Sequence, residues 1–204
     1  SAALNLQYQY KGLTFRNQMT TTLVNSQESP YGSFSDYVRM NPYDTYLDEN
    51  GNIGMNMATW HRGSPYRNPM YDATLGSFDK GKRHEFYDQF DVRYYLNKKI
   101  NFKANVALGY IVSDSDKFTD PAAAKFQSTE KKGQLTTSRQ KQSTYDISLN
   151  GYYNDQIGRH NINFVVGLNI REEKTNYEGF TYSGFPEGGF SAPGYAKDID
   201  TKSY

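Results

Sequence analysis

The chain has 204 residues, 23 Lys+Arg against 22 Asp+Glu and a formal net charge of +1, a balance that speaks against nucleic acid as a partner and against a polybasic membrane-surface protein. It has no cysteine, hence no disulfide and no thiolate metal site, and its three histidines, His61, His84 and His160, stand too far apart in sequence for a helical zinc motif. No apolar run approaches the length of a transmembrane helix and mean hydropathy is −0.85, yet 19 Tyr and 12 Phe bring the aromatic share to 16%, a combination shared by transmembrane β-barrels and some secreted β-sandwiches.

Strand character begins at once. In the first hairpin, near 4–23, Leu4, Leu6, Tyr8 and Tyr10 share one face while Asn5, Gln7 and Gln9 share the other. Lys11-Gly12 supplies a tight turn, and the return strand places Leu13, Phe15, Met19 and Leu23 together, with Asn17 breaking the pattern. A long polar connection follows, 24–85. The second hairpin, 86–110, aligns Phe86, Phe90, Val92, Tyr94 and Leu96, with Asp88 as the exception. After Asn97-Lys98-Lys99, the apolar residues Ile100, Phe102, Ala104, Val106, Leu108 and Tyr110 alternate with Asn101, Lys103, Asn105, Ala107 and Gly109.

A second polar stretch spans 112–134. The third hairpin, 135–170, places Tyr145, Ile147, Leu149, Gly151 and Tyr153 on one face, turns within 154–160, and returns with Ile162, Phe164, Val166, Leu168 and Ile170 aligned. Strict alternation over such lengths marks half-buried antiparallel strands. A last long segment, 171–204, ends in the polar run 198–204 with no terminating element. With no methionine or signal peptide at Ser1, the chain reads as a piece of a longer protein.

The connections are lopsided: short between the strands of each hairpin, long between hairpins. Short turns at one end and long loops at the other is the layout of outer-membrane barrels. Tyr8 and Tyr10, Tyr94-Tyr95 and Tyr152-Tyr153 each stand just before a short turn, where an aromatic girdle would sit. Tyrosine is also a good strand former, which would explain one such pair but not the same placement at every short turn. The expected fold class is all-β: antiparallel hairpins forming part of a large transmembrane β-barrel with long extracellular loops. The apolar faces would meet lipid and the polar faces a wet lumen. The alternative is a soluble extracellular β-sandwich that binds glycans, and within the membrane class a diffusion porin.

The loop NSQESPYGSFSDYVRMNPYDTYLDENGNI, residues 25–53, resembles the SusC/RagA-like TonB-dependent transporters of outer membranes. Ser29-Pro30-Tyr31-Gly32-Ser33-Phe34, Tyr37, Asn41-Pro42-Tyr43 and Asp48-Glu49-Asn50-Gly51 carry that resemblance. So do Asn68-Pro69-Met70-Tyr71-Asp72-Ala73 with Leu75 and Phe78, and Gly184-Phe185-Pro186. The resemblance implies a barrel of about 22 strands with a plugged lumen. Residues 1–204 would be barrel wall, with the plug and the TonB-binding segment not on this chain. It further implies import of large nutrients, glycan oligosaccharides or peptides, a SusD-like surface lipoprotein as partner, TonB as the source of pull, and residence in the outer membrane.

Other motifs have plainer readings. Counting Asp48 as position one of a calcium loop puts Thr59 at position twelve, where glutamate is needed, so Asp48–Asn52 reads as a Gly/Asn turn. Asp114, Asp116 and Asp120 read as a solvated polar loop, and the Gly-rich 185–194 lacks the lysine and helix start of a phosphate loop and reads as a mobile loop. No nucleophile–base set stands out, so no enzyme, cofactor or metal site is expected. The candidate contacts to partner or substrate are Tyr31, Phe34, Tyr37, Tyr43, Trp60, Arg62 and Tyr66. Trp60 suits loop packing or partner contact better than direct sugar stacking.

Overall fold

The computed structural model describes residues 1–38, 40, 43–58 and 67–203. Its main strands are β1 (Ala2–Tyr10), β2 (Leu13–Gln27), β5 (Phe78–Tyr95), β6 (Ile100–Thr119), β7 (Gln134–Ile157), β8 (His160–Ser183) and β9 (Asp198–Ser203). The connection between β2 and β5 holds a short helix α1 (Phe34–Val38) and a hairpin of β3 (Thr45–Leu47) with β4 (Ile53–Ala58). The main strands form one seven-stranded sheet in chain order, β1-β2-β5-β6-β7-β8-β9, and β3-β4 a separate two-stranded one. Among the described residues the larger sheet does not close: β1 and β9 are its edges. This is antiparallel barrel wall without the strands that would complete a barrel.

The hairpin registers follow the sequence pattern. In β1–β2, Tyr10 pairs with Leu13, Tyr8 with Phe15, Leu6 with Asn17 and Leu4 with Met19, so the alternating residues of both strands fall on one face. Strands run further than their apolar alternation does. β5 starts at Phe78, not Phe86; β7 and β8 continue to a Gly158-Arg159 turn; β8 reaches Ser183 and pairs with β9 from Ser183↔Asp198 to Glu178↔Ser203. The backbone ladder needs only N–H and C=O partners, whereas alternation reports where one face is apolar. The 171–204 segment therefore contains strand where pattern alone gave loop.

The chain divides into two compact units. The first comprises 1–24, 82–113 and 140–177. It contains the short turns, which are stitched together. The Gly12 carbonyl accepts from Tyr95 N at 2.8 Å, and a Cβ on Gly12 would stand 2.5 Å from the Tyr95 oxygen, so only glycine permits this approach. Asn97 Oδ1 closes its own turn by accepting from Lys99 N and Ile100 N. The next hairpin is joined by Asn154 N to Lys99 O at 2.8 Å and by Lys99 Nζ to Asp155 Oδ2 at 2.7 Å. That hydrogen bond holds the Lys99 ammonium pKa above its ordinary value.

The second unit comprises 25–81, 114–139 and 178–204 and contains a conventional hydrophobic core. Phe118, Leu135 and Phe185 are buried together, with Phe78, Tyr182 and Ala196 packed against them. Phe118 meets Phe185 edge-on at 5.4 Å between ring centroids. Gly133 (φ 75°) lets the chain turn beside them; a Cβ there would stand 2.8 Å from Pro121 Cγ and 2.9 Å from Phe185 Cβ.

Candidate functional site

The first unit presents two chemically opposite faces. On one lie Leu4, Leu6, Phe102, Phe164, Val166 and Leu168, and every one of them is exposed, Phe164 by 60%. In a sandwich this face would be a core covered by a second sheet. Here Val92, Tyr94, Ile100, Phe102, Leu149, Phe164, Val166 and Leu168 line a shallow apolar trough instead. Contiguous exposed apolar faces mark interaction surfaces, lipid among them.

The opposite face is polar and hydrogen-bonded. Asp91 accepts from Asn105 Nδ2 at 2.9 Å and from Gln89 Nε2 at 3.1 Å, and Arg16 donates to Gln7 at 3.3 Å. With Arg93, Lys103, Thr14 and Gln9, several of these residues line an open polar trough of about 520 Å³. Where Gly109 leaves a gap in this face, the Tyr87 ring covers it, 3.2 Å from the place a Cβ would take. The two residues that break the apolar alternation meet each other. Asn17 Nδ2 donates to Asp88 Oδ1 at 2.5 Å, and both side chains are buried.

The second unit contains the long connection between β2 and β5. Its keystone is Asn68, wholly buried: its Nδ2 donates to Tyr46 O at 2.8 Å, its Oδ1 accepts from Met70 N, and its backbone N–H donates to Met55 O. One side chain thus ties the NPMYDA motif to the β3–β4 hairpin. Asp72 continues the fastening, paired with Arg67 and accepting from Ala124 N at 3.1 Å. The β3–β4 turn is organised by Asp48, whose Oδ1 accepts from Asn50 N (2.9 Å) and Asn52 N (2.8 Å). These backbone hydrogen bonds, the one from Asn52 foremost, hold its carboxyl below the usual pKa. The carboxylate is thereby engaged in a Gly/Asn turn.

Beside these elements lies a depression of about 490 Å³, with Tyr31, Asp36, Met40, Asp44, Met57, Arg67 and Asp72 among its lining residues. Asp44 is 8% exposed, and among the described residues its Oδ1 has no hydrogen-bond partner.

The residues singled out from sequence are distributed unevenly. Tyr31 lines the depression. The Tyr37 hydroxyl donates to Tyr31 O at 2.8 Å, and burial raises its pKa, helped by neighbouring Tyr31 and Asp36. Phe34 and Tyr43 are 80% and 75% exposed and are not among its lining residues. Trp60, Arg62 and Tyr66 lie outside the described residues. The carboxylates Asp36, Asp44 and Asp72 are not marked as site residues in the sequence; of the three only Asp44 is buried, and nothing local separates it from the many exposed aspartates.

Two plainer readings need correction. Asp114 and Asp116 belong to β6, where Asp114 pairs with Arg139 at 3.1 Å. Asp120 is buried and accepts from Ala122 N at 2.9 Å, so this is an ordered strand end and turn, not a solvated loop. The Gly-rich 185–194 opens with Phe185 fixed in the core.

An open antiparallel sheet with one apolar face, one polar face and unequal connections has the form of partial β-barrel wall. No protein-family profile matches the chain, and no curated protein does. Solved structures do match. One is the RagAB peptide transporter, with a TM-score of 0.73 over 98% of this chain at 14% identity. Two others are the RagAB peptide importer in its closed-closed and open-open states, each with a TM-score of 0.73 over 99% of this chain, again at 14% identity. The chain spans 24% of the length of each. At this identity the likeness is one of fold, a distant structural relation.

Proposed function

We propose that the chain is barrel wall of an outer-membrane importer of large nutrients, a TonB-dependent transporter of the SusC/RagA-like kind working with a SusD-like surface lipoprotein. The observation that carries this reading is the uncovered apolar face, with a hydrogen-bonded polar face on its reverse. Lipid against the first and water against the second satisfies both. A soluble glycan-binding sandwich would need a second sheet over these side chains, and among the described residues none covers them. The mechanism is gated passage through the lumen, without bond chemistry. Peptides are the cargo named for the solved neighbours, which favours peptide over oligosaccharide here.

The test is uptake by whole cells carrying or lacking the gene, with labelled peptides and oligosaccharides, in the presence and absence of functional TonB. Gene- and TonB-dependent uptake, with the protein in the detergent-requiring outer-membrane fraction, is expected. Recovery of the intact protein in a detergent-free soluble fraction would overturn the reading. The long connection between β2 and β5, within 25–83, is proposed to contact the lipoprotein or close over the cargo. Its deletion should weaken co-purification or uptake, and unchanged behaviour in both would count against that role.

A further inference from the structure

We propose that the polar trough of the first unit is a binding site for a carboxylate carried on a peptide. Its lining brings Arg16, Arg93 and Lys103 together with one carboxylate, Asp91, all within that unit. They share the polar face of the sheet. Arg16 donates to Gln7, its register partner; Arg93 stands two residues from Asp91 along β5; and Lys103 stands two residues from Asn105, which donates to Asp91. Three cations against one carboxylate leave two positive charges in excess. Among the described residues none of the three cations forms an ion pair. Every aspartate and glutamate of the chain is among the described residues, so no further side-chain carboxylate is left to supply one. Arg16 and Arg93 donate instead to neutral oxygens, Gln7 Oε1 and the Tyr95 hydroxyl, each at 3.3 Å, which aim the guanidinium groups without neutralising them. Asp91 is served by the amides of Asn105 and Gln89 and not by the cations beside it.

The ligand must therefore bring negative charge. A guanidinium takes a planar carboxylate through two parallel N–H···O bonds, and the Lys103 ammonium adds a point charge beside it. The same lining also offers acceptors: the Gln9 amide oxygen, the Thr14 hydroxyl and the remaining lone pairs of Asp91. A phosphate dianion brings oxygens for the cations and no donor for these acceptors. A peptide brings both, its carboxylate to the cations and its backbone N–H groups to the acceptors. A volume of about 520 Å³ is that of a small-molecule site and far exceeds what a bare anion fills. A carboxyl terminus and an acidic side chain both carry the required group. As the preference of an importer, the inference rests on the reading above; as a binding site it stands on the trough alone.

The experiment is calorimetric titration of the intact, detergent-purified protein with three tripeptides and inorganic phosphate. Acetyl-Gly-Gly-Gly carries only the terminal carboxylate, acetyl-Gly-Glu-Gly-amide only the side-chain one, and acetyl-Gly-Gly-Gly-amide no charge. One or both anionic peptides should bind, and which of them does identifies the source. Arg93→Gln and Lys103→Met should each weaken that binding about ten-fold, the scale of one charge-assisted hydrogen bond. Lys98→Met removes the same charge from an exposed turn outside the trough and should leave binding unchanged. Equal binding of the uncharged peptide, equal or tighter binding of phosphate, or absence of binding by both anionic peptides would overturn the assignment. So would indifference to both trough substitutions, or an equal loss with Lys98→Met, which would mean overall charge and not a site. Uptake measured separately keeps the two ideas apart. TonB-dependent import without preference for anionic peptides removes this site and leaves the importer, whereas carboxylate binding without any import does the reverse.

Discussion

Asn17 and Asp88 interrupt the apolar alternation of neighbouring strands, and they do so together. Their 2.5 Å hydrogen bond lets two polar groups sit buried on an apolar face. Asn17→Leu would leave the Asp88 carboxylate without its donor. It should cost about 1–3 kcal/mol in urea titrations of the intact barrel in vesicles, and Asn17→Leu with Asp88→Leu should recover most of that loss. Full additivity of the two single losses would refute the coupling. Gly133→Ala sets a Cβ against Pro121 and Phe185 at a positive φ. It should cost on the order of 1–3 kcal/mol, read as loss of hydrogen-exchange protection around Phe185. Asp48 makes a pH prediction. Its folded pKa lies below the ordinary carboxylate value, so its contribution is present above the unfolded pKa and disappears as pH falls through the folded one. Corrected for intrinsic exchange, the Asn50 and Asn52 amides should keep their protection at about pH 5 and lose it only as the pH falls below the ordinary carboxylate range. Asp48→Asn, which keeps the acceptor and removes the charge, should abolish that pH dependence.

At the scale of the element, a strand in this sheet has two sides with opposite tolerances. Leu168 and Asn169 are adjacent in β8 and point to opposite faces. On the barrel-wall reading, Leu168→Arg places a guanidinium in hydrocarbon at about 2–4 kcal/mol near the midplane, whereas Asn169→Arg faces water and should cost little. Spin labels at Leu168 and Val106 should be reached by oxygen but not by a polar nickel reagent, and a label at Asn169 by both. Labels at Leu168 and Val106 that neither reagent reaches would mean a protein core, and the membrane assignment would fall.

At the scale of the whole molecule, the open edges dominate. β1 is exposed along its length, and so is β8 from His160 to Asn176. Each unpaired N–H and C=O there would cost several kcal/mol in lipid. Residues 1–204 expressed alone should aggregate, while the same residues fold within a chain that supplies the missing neighbours. A monodisperse, detergent-free fragment with a cooperative melt would argue for a soluble module.

The sheet was legible in the sequence because an apolar face repeating every second residue leaves a period-two trace. Ile100–Tyr110 and Ile162–Ile170 could be placed from that trace alone, and the lopsided connections set their end-to-end sense. What lay beyond the apolar zone left no such trace. β9, the polar outer ends of β5 and β8, and the small β3–β4 hairpin are held by backbone pairing, to which alternation is blind. The meeting of Asn17 with Asp88, the core position of Phe185 and the burial of Asp44 are likewise contacts between distant segments. Their residues look locally like any other asparagine, phenylalanine or aspartate, and only the folded chain brings their partners near or leaves them without one.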